Sequence, residues 1–270
     1  MRCRFTDIKG GYHEKHKLTS KAVIMKNTRI VGSAIIKSKV KPQESAEKAM
    51  GDALSSAGLR LEDLQYCVGT GYGRKKISFV DEAISEISCH GKGANWLIPA
   101  VRTAVDIGGQ DCKAIKLDGR GKVEKFIAND KCASGTGRFL EVMAGVLGID
   151  LTELGACSSK GRSPVTFAST CTVWAQADAI KLLNSGTPFE EIGAGINTAM
   201  ASRVAILVNS IGIQPEICMT GGVAKNAGVK DALEKIIGHR IKTARKADPQ
   251  LAGAIGAALF ASENMNGRDS

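Results

Sequence analysis

A pattern of strands followed by helices runs twice along this chain of 270 residues, and it constrains the fold more than any single motif. Residues 22–36, AVIMKNTRIVGSAII, read as two strands joined by a polar turn at Lys26, Asn27 and Thr28. Residues 45–58 carry apolar side chains at 46, 50 and 54 and end on glycine, the spacing of an amphipathic helix with its stop signal. A strand at 64–70, the glycine loop GTGYGR and a helix near 78–88 complete the first block. The pattern then restarts. Residues 104–127 read as strand, glycine turn, strand, an Asp-Gly hairpin at 118 and 119, then strand. Helices follow at 135–147, 151–156, 172–183 and 189–211, then a strand at 216–220, the loop GGVAKN, and helices at 229–237 and 251–262. Two such blocks predict an α/β protein of two similar lobes.

Composition narrows the class. Apolar residues make up 43% and mean hydropathy is −0.05, and no window reaches the roughly 18 uninterrupted apolar residues of a membrane span. The start, MRCRFTDIKGG, has basic residues with no apolar stretch behind them, so a secretory signal is not expected and the cytoplasm is. The net charge of +10 is spread without a basic block, aromatics are 4%, and no groove-reading motif occurs, so neither a nucleic-acid nor a membrane partner is expected. Eight cysteines, irregularly spaced and without a CxxC pair, indicate neither a zinc ribbon nor a thioredoxin-like site. Their default role is that of small buried hydrophobes. Cys157, in ACSSKG, reads as loop-exposed.

Two loops carry chemistry. DIGGQD, 106–111, joins two strands; Gly108 and Gly109 permit positive φ and close approach of backbone to phosphate, while Asp106 and Asp111 are donors suited to Mg²⁺. Taken alone it reads first as an ordinary β-turn that needs glycine. MTGGVAKN, 219–226, follows an apolar strand and opens a helix, so its glycines can pack backbone against adenine or ribose. Neither loop fits GxGxxG or GxxxxGK[ST], which disfavours Rossmann and P-loop folds.

In their order and separation these loops resemble the phosphate-2 and adenosine motifs of the acetate kinase, sugar kinase, Hsp70 and actin superfamily, whose two related lobes close on ATP. With GTGYGR at 69–74, ISCHGKGA at 87–94, NDKCASGTGRFLEVMA at 129–144, STCTVWAQ at 169–176 and ASRV at 201–204, the chain is similar to the activator ATPases of 2-hydroxyacyl-CoA dehydratases, a family that includes the ATPase subunits of benzoyl-CoA reductase. The resemblance covers about residues 19–262. It implies lobe I at 1–100, with the last helix, 250–263, returning to it, and lobe II at 101–249.

The resemblance further implies that Cys132 and Cys171 ligate a 4Fe-4S cluster, one per homodimer, with two thiolates from each subunit. The surrounding residues support this: each cysteine precedes an expected helix, at 135 and 172, where unpaired amides and the dipole favour a thiolate. Small neighbours such as Ala133, Ser134 and Gly135 leave room for a cluster and for N–H···S bonds. Two cysteines cannot complete four thiolate ligands, so such a site requires a two-fold axis. The remaining implied roles are Asp106 and Gln110 orienting Mg²⁺ and water, Gly108 and Gly109 holding phosphate, Asp111 as a second magnesium contact, Gly135 and Thr136 beside the cofactor, and Gly221, Gly222 and Asn226 at the adenosine end. A reduced ferredoxin or flavodoxin would supply electrons, ATP would drive their transfer, and a dehydratase or reductase component would receive them.

The chain departs from the family at its start. A phosphate-1 loop of the form DxGSTxxK is expected, and Thr19, Ser20 and Lys21 match its end, but counting back places Glu14 at the aspartate and His16 at the glycine. Three accounts fit: a shifted start or reading frame, preferred because the match resumes abruptly at Thr19; an ATPase that has lost this loop; or a phosphate grip by Lys15 or Lys17. Two other functions compete with the activator reading: a small-molecule kinase, which finds no catalytic base outside Asp106 and leaves the cysteine pair unexplained, and a non-catalytic nucleotide- or CoA-binding regulator, which the departure at the start favours.

Overall fold

The structure is a computed structural model and describes residues 2–6, 18–169 and 171–266. The chain forms two compact units, one from Met1–Val101, Leu117–Val123 and Arg245–Ser270, the other from Arg102–Lys116 and Glu124–Ala244.

The first unit holds a five-stranded sheet of order β3-β2-β1-β4-β5, with β1 at Arg2–Thr6, β2 at Thr19–Lys26, β3 at Arg29–Lys37, β4 at Tyr66–Gly69 and β5 at Glu82–Ala83. The expected β2–β3 turn forms through positive φ at Asn27 and Thr28, the handedness that suits a tight hairpin. Helix α1, Pro42–Ala57, starts with proline in its first turn, buries Ala46, Ala49, Met50, Ala53 and Leu54, and stops at Gly58 in the left-handed region.

Two features differ from the sequence reading. The helix expected near 78–88 begins only at Glu86 and runs to Leu97 as α2, because β5 intervenes. Asp81 anchors that stretch by accepting from the Cys67 amide at 2.6 Å, and Val68 and Gly69 pair with Glu82 and Ala83. Strand pairing therefore overrides the helical pattern. The second feature is β1, which lies between β2 and β4 with Thr6 opposite Lys21, so the strand position facing Lys21 belongs to Thr6. Glu14, Lys15, His16 and Lys17 lie outside the described residues.

The second unit repeats this topology. Its sheet order is β10-β9-β6-β7-β8, with β6 at Thr103–Ile107, β7 at Cys112–Leu117, β8 at Val123–Asn129, β9 at Ile217–Thr220 and β10 at Ile241–Lys242. Like β1, the central β6 runs antiparallel to the next strand and parallel to its other neighbour. Helices α3 (Gly137–Leu147), α4 (Leu151–Ser158), α5 (Thr172–Asn184), α6 (Phe189–Ile211) and α7 (Ala227–Ile237) surround a core that includes Val105, Ile107, Phe139, Leu140, Met143, Ile196 and Met200. Each such side chain contributes roughly 1.5–3 kcal/mol by leaving water, which fixes α3 and α6 against β6. The β7–β8 connection is longer than an Asp-Gly hairpin. Asp118 accepts from the amides of Lys122 and Arg120, each at 2.8 Å, and the left-handed residue is Gly121, not Gly119.

The last helix, α8 at Ala252–Asn266, packs on α2 in the first unit. A Cβ at Gly93 would fall on the backbone of Ala252, and one at Gly256 on that of Cys89. This reciprocal approach explains Gly93 of ISCHGKGA, while Gly91 is kept small by the β7–β8 connection, where a Cβ would meet the Gly121 carbonyl and the Leu117 and Val123 side chains. Among the described residues no helix is long and apolar enough to cross a membrane.

Candidate functional site

DIGGQD links β6 to β7 and is tied on two sides. Gly108 N–H donates to the Asp111 carbonyl at 2.9 Å, closing the turn, so this amide is committed within the loop. At the start of α3 the Gly137 and Arg138 amides donate to the Gly108 and Gly109 carbonyls, both at 2.8 Å. The turn thereby satisfies two of the four orphan amides of α3. Gly137 must be small here, since a Cβ would sit 3.1 Å from the Gly108 carbonyl oxygen.

The side chains of this loop form a buried ionic group. Asp106, Asp111 and Lys113 are 3%, 6% and 4% exposed. Lys113 Nζ lies 2.8 Å from Asp111 Oδ2 and 3.6 Å from Asp106 Oδ2, while Thr220 Oγ1 donates to Asp106 Oδ1 at 3.2 Å. Gly221 follows at φ +83°, where a Cβ would meet the Ile107 carbonyl and, at 2.8 Å, Asp106 Oδ1. Asp106, Gly108, Asp111 and Gly221 are therefore brought together, with Gln110 half-exposed at the tip of the turn and Gly222 exposed. Hard carboxylate donors beside a glycine-lined cradle fit a divalent cation and phosphate.

Three expected ligand contacts also have structural duties. Asn226 caps α7, its Oδ1 accepting from Val229 N–H at 3.1 Å, and its Nδ2 donates to Asn197 Oδ1 at 3.3 Å. Thr136 is fully buried and donates to the Ala133 carbonyl at 2.7 Å. Gly135 is buried at φ +81° in the same turn. Thr19, Ser20 and Lys21 lie on β2 in the first unit, where Ser20 is buried and its hydroxyl is 2.8 Å from that of Ser38.

The cysteines divide by exposure. Cys132 and Cys171 are exposed, whereas Cys67, Cys89, Cys112 and Cys218 are buried. Burial, and next the Asp106 carboxylate, push the Cys112 thiol far up and the Cys218 thiol up to about 12, so both stay protonated. Cys157 lies not in a loop but in α4, half-buried, its S–H 3.8 Å from the Phe189 carbonyl; burial, and then Glu190, raise its pKa.

The two exposed thiols are held differently. Cys171 is the N-cap of α5, as expected. The hydroxyl of the next residue, Thr172, has a buried oxygen with no hydrogen-bond partner among the described residues. Cys132 is not at a helix start: α3 begins at Gly137, and two of its first amides are spent on the DIGGQD turn. Asn129 holds this cysteine instead. Its Oδ1 accepts from the Cys132 amide at 3.2 Å, and its Nδ2 donates to the Cys132 and Ser134 carbonyls, both at 2.9 Å. The sequence reading missed Asn129; an Asn three residues before a rigid turn is the signal that finds it. Behind the turn lies a cavity of about 270 Å³ lined by Asn129, Ser134, Gly135 and Arg203 of the ASRV segment. Two exposed thiols and an unpartnered hydroxyl donor fit half of a thiolate-ligated cluster.

The chain is 46% identical over 246 residues to the 2-hydroxyisocaproyl-CoA dehydratase activator of Clostridioides difficile, covering 90% of each chain. It is 43% identical over 245 residues to the activator of lactoyl-CoA dehydratase of Anaerotignum propionicum, covering 91% of this chain and 94% of that one. Among solved structures, the activator of the 2-hydroxyisocaproyl-CoA dehydratase from Clostridium difficile with bound ADPNP superposes with a TM-score of 0.89 at 40% identity, covering 99% of this chain and 96% of that one. The fold is thus the actin, Hsp70 and sugar-kinase type that the motif order implied. Residues 18–261 match the model of the BadF/BadG/BcrA/BcrD ATPase family, and the chain belongs to that family.

Proposed function

We propose that this chain is an ATP-dependent activator that delivers low-potential electrons to a 2-hydroxyacyl-CoA dehydratase or a related reductase, acting as a homodimer in which Cys132 and Cys171 of each copy hold one 4Fe-4S cluster. The observation that carries this reading is the exposure of these two cysteines in the unit that also holds DIGGQD and TGG, while Cys67, Cys89, Cys112 and Cys218 are buried. The relatives named as dehydratase activators support it.

In this reading Asp106 and Asp111 hold Mg²⁺, Gln110 orients water, Gly109 lies against phosphate, and Gly221 and Gly222 line the adenosine end. Asn226 acts indirectly, by fixing the start of α7. When bound, the cluster would supply one low-potential electron. The residues between the two sites provide the coupling. Nucleotide that moves the DIGGQD turn pulls on the Gly137 and Arg138 amides, and the Cys132 turn lies immediately before them. Coupling of this kind requires that nucleotide bind two arrangements with different affinity.

A second copy would cover α5 next to Cys171, where Val173, Trp174 and Ile180 are 69%, 66% and 50% exposed. A ferredoxin or flavodoxin would be the electron donor.

Iron and acid-labile sulfide on anaerobically prepared protein, with gel-filtration mass, test this reading. The expected result is about two irons and two sulfides per chain in a dimer, lost in Cys132→Ala and in Cys171→Ala. Iron-free protein, unchanged by either substitution, would overturn it.

A further inference from the structure

Lys113 is a charged residue on the buried strand β7, 4% exposed. Its position is fixed by register: it pairs with Asp106 across β6 and β7, and it lies two residues after Asp111, which immediately precedes β7. Its ammonium therefore contacts both carboxylates, at 2.8 Å for Asp111 and 3.6 Å for Asp106. The corresponding pair in the first unit is Lys21 opposite Thr6.

We propose that Lys113 is a positioning residue that makes metal binding depend on nucleotide; this rests on the reading of DIGGQD as a nucleotide site. Two carboxylates and one ammonium sum to −1. A divalent cation arriving alone would turn this to +1 in a buried setting and would face the lysine at close range, both unfavourable. A cation arriving with phosphate brings its own negative charge, and the phosphate offers the ammonium a new partner. Without Lys113 the two carboxylates sum to −2, which one divalent cation neutralises. Lys113 thus keeps bare metal out of the site and holds Asp106 and Asp111 in place until nucleotide comes.

The test is Mn²⁺ binding followed by electron paramagnetic resonance, with Mn²⁺ alone and with Mn²⁺ plus ADPNP, on the full chain and its variants. Lys113→Met should bind Mn²⁺ alone at least tenfold more tightly than the parent protein, and ADPNP should no longer strengthen metal binding. Lys113→Arg, which keeps the charge, should retain weak binding of the bare ion. Should Lys113→Met fail to fold, Lys113→Gln removes the charge while keeping a donor and carries the same expectation. A folded neutral variant that binds Mn²⁺ no more tightly than the parent overturns the proposal, while parental binding of ADPNP in the same experiment shows whether the nucleotide reading stands.

Discussion

Thr220 and Asp106 stand opposite each other on parallel strands, and the Thr220 hydroxyl donates to Asp106 Oδ1 at 3.2 Å. Both residues are buried, so the bond is shielded from water and the carboxylate oxygen depends on protein donors. Thr220→Val keeps the shape and removes the donor. Its expected cost is about 1–3 kcal/mol in urea denaturation, with much of it recovered in Thr220→Ser. A loss no larger than that of an ordinary surface substitution would show that the hydroxyl does not support Asp106.

Gly221 is the most constrained residue of the adenosine loop. Its φ of +83° is strained for any L side chain, and an added Cβ would press on the Ile107 carbonyl and on Asp106 Oδ1. Gly221→Ala should cost about 1–3 kcal/mol of stability and weaken ADPNP binding at least tenfold, read by calorimetry. Gly145 is the matched control. It lies in α3, where a Cβ would meet nothing within 4 Å, so Gly145→Ala should gain about 0.5–1 kcal/mol and leave ADPNP binding unchanged.

Thiol chemistry should follow exposure. In cluster-free protein, iodoacetamide at neutral pH is expected to modify Cys132 and Cys171 within minutes, Cys157 slowly, and Cys112 and Cys218 only on unfolding, with peptide mass spectrometry as the readout. The thiolate is the reactive form and lies above the pKa. Cys218, pushed up to about 12, therefore stays a neutral thiol across the range in which the protein is handled, and raising the pH to 9 should not expose it to labelling. Rapid labelling of Cys112 or Cys218 in folded protein would contradict the buried placement.

The repeated strand-and-helix pattern made most strands of both sheets and most helices legible, because each buries one face and periodicity reports that face directly. It failed where tertiary contacts outweighed local pattern. Residues 78–88 place apolar side chains at 79, 80, 83, 84 and 87, a spacing that suits a helix, yet Asp81 caps a strand amide and Glu82 joins the sheet. The helix lies further on, where Gly93 packs against α8. Motif order and the family resemblance singled out Asp106, Asp111 and the two cysteines that the structure leaves exposed, but not the groups that hold them. Lys113 was readable in principle, as a charge in the buried strand CKAIKL, whereas the use of the α3 amides by DIGGQD depends on contacts that no local window contains.

Asn129 offers a way to loosen one cysteine turn without touching a thiol. Its carboxamide makes three hydrogen bonds that close residues 129–134, and it lies on β8 outside the DIGGQD turn. Asn129→Ala leaves the Cys132 and Ser134 carbonyls and the Cys132 amide without that partner. The expected stability loss is about 1–2 kcal/mol, small because the turn is partly exposed and water replaces some of the bonds. The sharper expectation is local. Amide exchange at residues 130–136 should quicken and iodoacetamide should modify Cys132 several-fold faster, while Cys171, held as the N-cap of α5, should react at its original rate. Asn129→Asp keeps the acceptor for the Cys132 amide but loses the two donors, so it should fall between alanine and the parent. Equal acceleration at both cysteines would mean that the substitution disturbs the whole unit and that Asn129 does not hold the Cys132 turn specifically.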